Sequence, residues 1–99
     1  MLGLLGLGAR GGRVAIGVGA ARAALQRGEA RVLVLASDAS ERALEKVERL
    51  AGGTGVPVIR GPAAGTIGDR LGRPPVMAVA VRDRELAKGL LAIAARDGA

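Results

Sequence analysis

The run Arg31-Val32-Leu33-Val34-Leu35-Ala36 carries no polar side chain after its first residue. Successive residues of a strand point to opposite faces of the sheet, so a strand apolar at every position is covered on both. Such a strand belongs in the middle of a sheet with helices above and below it. A three-layer architecture is therefore the expectation for this chain.

The flanking segments supply the other layers. Arg13-Val14-Ala15-Ile16 reads as a short strand ended by Gly17-Val18-Gly19, after which Ala20 to Arg27 are helix formers stopped by Gly28. Ser37-Asp38-Ala39-Ser40 is loop chemistry. Ser40 is a natural N-cap, with Glu41 placed where a negative charge suits the helix dipole. Leu44, Val47, Leu50 and Ala51 then repeat at helical spacing, Glu45 and Arg49 pair on the wet side, and Gly52-Gly53 is the expected stop.

Val56 to Ile59 reads as an edge strand, because Pro57 cannot donate to a central ladder. A turn over 61–65, a short helix over 66–71 and a stiff loop Gly72-Arg73-Pro74-Pro75 follow, then a buried strand over 76–81. Asp83 caps a last helix with an apolar stripe of Leu86, Leu90, Leu91 and Ala94. At the start, Leu2, Leu4, Leu5 and Leu7 suggest a short helix whose apolar side packs on the core. The expected fold is a single α/β domain over 1–99, a three-layer α-β-α sandwich around a mixed sheet of about four strands.

Composition narrows the chemistry. His, Cys, Phe, Tyr and Trp all count zero, there is no Asn, and Gln26 is the only glutamine. Zinc sites, disulfides, Cys nucleophiles and Ser-His-Asp triads are excluded, and so is an aromatic base-stacking platform. Asp38, Glu41, Asp69 and Asp83 read as capping, dipole and surface acids rather than a convergent catalytic pair, so an enzyme, a metal or a cofactor is not expected. Arg outnumbers Lys 13 to 2. That bias, with the missing Asn and Cys, matches heat-adapted proteins, and a GC-rich genome gives the same pattern.

Met1 to Gly8 lacks a basic n-region and is broken by Gly3, Gly6 and Gly8, unlike a signal peptide. No apolar run reaches the roughly 18 residues of a membrane span. A soluble, cytoplasmic protein is the expectation.

The formal charge is +6, from 15 basic and 9 acidic groups. An anionic partner such as nucleic acid fits that excess. Residues 1–36 carry +4, residues 37–55 carry −1, residues 56–82 carry +3, and the remainder balances. The excess falls on the segments holding the glycine turn and the Arg-Pro-Pro loop. If those loops share one end of the sheet, Arg13, Arg22, Arg70 and Arg73 form a phosphate-binding face.

Two glycine patterns bear on ligand binding. Gly6-Leu7-Gly8-Ala9-Arg10-Gly11 matches G-x-G-x-x-G, but no strand precedes it. Gly17-Val18-Gly19 follows a strand, opens a helix and has Asp38 about 20 residues on, the arrangement of a dinucleotide-binding turn. The third small residue is replaced by Arg22. A nucleotide-binding protein, a phosphate-contacting RNA loop and a tight turn with no ligand all remain open at this point.

Gly12-Arg13-Val14-Ala15-Ile16-Gly17-Val18-Gly19, with Ala24-Leu25-Gln26-Arg27-Gly28-Glu29-Ala30-Arg31-Val32-Leu33-Val34-Leu35-Ala36-Ser37-Asp38, resembles the kink-turn-binding ribosomal protein family. This is the family of the archaeal L-seven-Ae and eukaryotic L-thirty-e proteins, with bacterial YlxQ-like paralogues. The resemblance continues through Val56-Pro57-Val58, Ile67-Gly68, Gly72-Arg73-Pro74 and Val79-Ala80-Val81. It implies the same sandwich, and a grip on kinked RNA by the glycine loop, the start of the next helix and the loop before the last strand. Carried over, these are Gly17, Gly19, Arg13 and Arg73-Pro74-Pro75.

The family's strong binders read tandem G·A pairs with an Asn-Glu-x-x-Lys run, where this chain has Gly19, Ala20 and Ala23. Neither Gly nor Ala has a side-chain donor or acceptor for base edges. Arg22 stands one position before the missing lysine, about 100° away around the helix. The resemblance thus implies a ribosome-associated or RNA-regulatory protein with weakened specificity, its partner rRNA or another structured RNA. The candidate RNA-binding residues are Arg13, Gly17, Gly19, Arg22, Arg70, Arg73, Pro74 and Pro75. A small nucleotide-binding protein and a protein-interaction module that has lost RNA binding are the alternatives.

Overall fold

The computed structural model describes residues 1–97. Its elements run α1 (Leu2–Arg10), β1 (Val14–Ile16), α2 (Val18–Gln26), β2 (Val32–Ala36), α3 (Glu41–Thr54), β3 (Val58–Gly61), α4 (Ala64–Leu71), β4 (Ala78–Val81) and α5 (Arg84–Asp97). The strands form one mixed sheet in the order β1-β4-β2-β3. β4 is antiparallel to both β1 and β2, and β3 is parallel to β2. The mixed α-β-α sandwich is the fold that the apolar β2 run required.

All five residues of β2 are buried, and their alternation builds both halves of the core. Val32, Val34 and Ala36 pack with Leu5, Ile67, Leu86 and Leu90 from α1, α4 and α5. Leu33 and Leu35 turn the other way and pack with Ala21, Leu25, Leu44 and Val47 from α2 and α3. Each buried aliphatic side chain stabilises the fold by about 1.5–3 kcal/mol before entropy is charged against it.

The caps follow the sequence closely. Ser40 Oγ accepts from the Ala43 amide at 3.2 Å, and Asp83 Oδ2 accepts from the Leu86 amide at 2.9 Å. Arg49 meets Glu45 at 2.8 Å on the exposed side of α3.

Several boundaries differ from expectation, each for a local reason. α2 begins at Val18, inside the anticipated turn, because the Gly17 carbonyl already accepts the first helical bond from Ala21. α3 runs through Gly52-Gly53. It ends where Gly55 adopts a left-handed φ of 72° and the Val56 amide reaches back to the Ala51 carbonyl. α4 starts at Ala64 rather than 66, and Gly61 belongs to β3 rather than to the turn. β4 starts at Ala78 rather than 76, since Pro74 and Pro75 have no amide to donate and the Val76 amide is taken by the Ala64 carbonyl. Leu7 does not join the core: it lies about 200° around α1 from buried Leu5 and is 59% exposed. No helix among the described residues is long and apolar enough to cross a membrane.

Candidate functional site

The strand directions bring four connections to one end of the sheet: the C-terminal ends of β1, β2 and β3, and the N-terminal end of β4. Backbone hydrogen bonds join these connections side by side. The Gly17 amide donates to the Ala78 carbonyl at 2.8 Å, the Ala36 amide to Met77 at 2.8 Å, and the Ser37 amide to Pro62 at 3.2 Å. The glycine turn and the proline loop are therefore neighbours because β1 and β4 are.

Gly17 has φ 99° and ψ 160°, a backbone region that side chains essentially forbid. This conformation turns the chain out of β1 and directly into α2. Among the described residues no side chain caps α2, and its first turn holds no acid. The leading amides of a helix lack intrahelical partners and carry the positive end of its dipole. Gly19 plays a different part. It is an ordinary helical residue with nothing within 4 Å of where a Cβ would stand, so a side chain fits there without strain.

The proline loop folds back along α4. The Arg73 amide donates to the Gly68 carbonyl at 2.8 Å and the Val76 amide to Ala64 at 3.0 Å. A Cβ on Gly68 would stand 2.8 Å from the Arg73 carbonyl oxygen, so the close approach needs glycine. Pro74 and Pro75 are exposed, and Met77 keeps 40% of its surface open beside them.

Of the residues expected in the site, Gly17 and Gly19 stand at this end; Arg73 and Pro74 lie against Gly68 of α4, and the loop reaches the end after Pro75, where the Val76 amide meets the Ala64 carbonyl. Arg22 stands one turn into α2, on the same side as Val18. The expected four-arginine face does not form. Arg13 precedes β1, at the far end of the sheet, where its carbonyl accepts from the Arg82 amide at 2.8 Å. Arg70 lies against α1 near Gly6, in the helical layer opposite α2.

Asp38 has a structural partner. Its Oδ1 accepts from the Ala64 amide at 2.8 Å, which makes it the cap of α4 rather than a free carboxylate for a ribose. The pattern over 6–11 begins inside α1 and runs through it, so it forms no phosphate loop.

Two features differ from what local sequence patterns suggest. Met77, in a run with the composition of a buried strand, is exposed. On α3, Arg42, Lys46 and Arg49 line a groove against α2. Their i, i+4, i+7 spacing was the available signal, and adding up charge over whole segments hid it.

The ribosomal protein L7Ae/L30e/S12e/Gadd45 family model matches residues 1–91. A protein of unknown function from Bacillus halodurans C is similar in structure, with TM-score 0.86 and 27% identity over 93% of each chain. The Giardia lamblia 15.5kD RNA binding protein is similar with TM-score 0.77 and 17% identity, over 96% of this chain and 84% of that one. No curated protein matches in sequence. With the family model spanning nearly the whole sandwich, both core halves and all four strands, the chain belongs to the ribosomal protein L7Ae/L30e/S12e/Gadd45 family.

Proposed function

We propose that this protein binds structured, kink-turn-like RNA through the glycine-turn end of its sheet, gripping phosphates and shape rather than reading bases. The observation that carries this is the uncapped N-terminus of α2, opened by Gly17 and set beside the exposed proline loop by the Gly17–Ala78 bond. Backbone amides at a helix N-terminus suit phosphate oxygens; Arg22 adds charge one turn into α2, and Arg73 adds it at the start of the proline loop, against α4. Among the described residues neither arginine has a carboxylate within 4.0 Å, so both are free for an anion.

Family membership and the likeness to the Giardia lamblia RNA binding protein support RNA as the ligand. The absence of functional side chains at Gly19, Ala20 and Ala23 supports weak base discrimination. Pro74, Pro75 and Met77 supply apolar contact where no aromatic ring exists. A cytoplasmic role in the ribosome or another ribonucleoprotein fits this reading.

A gel-shift series with kink-turn RNA, rRNA fragments and an unrelated duplex at about 50 mM salt tests it. Shifts with all three, strongest for kinked RNA by less than about tenfold, are expected. No shift with any of them contradicts the proposal.

A further inference from the structure

The segment containing α3 has a net charge of −1, but that sum conceals a separation across the helix. Glu41, Glu45 and Glu48 follow one i, i+4, i+7 row toward β3, where Glu48 meets Arg60 at 3.3 Å. Arg42, Lys46 and Arg49 follow the next row, toward α2, and Arg42 borders both sides. With Arg22 and Val18 they line an open groove of about 430 Å³ between α2 and α3.

Glu45 is the one carboxylate in that lining, and it is engaged by Arg49 at 2.8 Å. Among the described residues Arg22, Arg42 and Lys46 have no carboxylate within 4.0 Å. Four cations against one anion leave the groove at +3. Like charges gathered along a concave surface repel one another and focus potential outward, which favours a polyanion over any single small anion.

Position ties the groove to the site above. Val18, which lines it, sits between Gly17 and Gly19, so the groove opens directly from the glycine turn. From Arg42 to Arg49 the helix rises about 10 Å, long enough for its cations to meet more than one phosphate of a strand.

We infer that the α2–α3 groove is a phosphate track, along which an RNA strand leaving the glycine-turn end is held by Arg22, Arg42, Lys46 and Arg49. This rests on the RNA-binding reading and extends it: the interface runs down one face of the sandwich rather than stopping at its end. Chain affinity then depends on the stem flanking the kink as well as on the kink.

The test measures fluorescence anisotropy with a labelled kink-turn RNA carrying a long flanking stem, across a salt series. The Arg42→Gln/Lys46→Gln double variant is expected to bind about tenfold more weakly, with a log–log salt slope shallower by about 1.4–1.8 for two lost phosphate contacts. Glu45→Gln is expected to tighten binding about two- to threefold. Arg84→Gln/Lys88→Gln removes the same two charges from α5, in the opposite layer, and leaves affinity within about twofold. All five positions are exposed and the folded variants are verified by circular dichroism. If the parent binds and the groove variant matches the α5 variant, the track is overturned while RNA binding stands. If the parent binds no RNA at low salt, the RNA-binding reading itself fails and the track with it.

Discussion

The amide of Gly17 donates to the carbonyl of Ala78 over 2.8 Å, and this bond joins the turn after β1 to the first residue of β4. Through it, the start of α2 and the residues that follow the proline loop are held side by side. The proposed RNA binding at this end depends on that arrangement holding its shape.

Gly17→Ala tests the turn itself. At φ 99° and ψ 160° a Cβ imposes strain of about 1–3 kcal/mol. Urea unfolding should show stability reduced by about that amount, and RNA affinity should fall as α2 re-aims.

Two other glycines should respond in opposite directions. Gly68→Ala would press a Cβ against the Pro74 and Arg73 carbonyls, at a cost of about 1–3 kcal/mol, and displace the proline loop. Gly19→Ala meets open space in a helix and should stabilise by up to about 1 kcal/mol. Thermal unfolding of the pair separates loop packing from helix propensity.

Asp38→Ala should lower stability by about 0.5–2 kcal/mol through loss of the α4 cap, and Asp38→Asn by less. Because that carboxylate already has a partner, NAD and ATP should leave the melting temperature of the parent unchanged in a thermal-shift series.

Gly19→Asn, Ala20→Glu and Ala23→Lys together restore the base-reading side chains implied by the family resemblance. The three changes add no net charge, so any gain comes from specific contacts. Gly19 has free space and Ala20 is exposed, so the fold accommodates both changes. The triple variant should bind kink-turn RNA at least about tenfold more tightly than the parent, as expected for a base contact of about 1–3 kcal/mol. Equal affinities would show that position 19 and its neighbours do not limit recognition.

Local rules made most of the fold legible. The unbroken apolar run at β2 required two helical layers, and the caps at Ser40 and Asp83 and the Glu45–Arg49 pair all act within four residues. What stayed hidden was non-local. Asp38 caps a helix 26 residues away, a partnership no sequence window contains. Arg13 and Gly17 are four residues apart in the chain, yet a strand between them sets them at opposite ends of the sheet. Arg70 and Arg22 fall in opposite layers because α4 and α2 pack on opposite faces. The site was therefore legible as two loops, and the arginines around it only once the topology was known.

The most direct test of phosphate and shape recognition compares a kink-turn RNA with the same RNA whose tandem G·A pairs are replaced by Watson–Crick pairs, across a salt series. Phosphate and shape recognition gives affinities within about tenfold of each other, and a fall with salt set by about 0.7–0.9 in slope for each phosphate contact. A preference above about a hundredfold for the intact kink-turn, with little salt dependence, would contradict it.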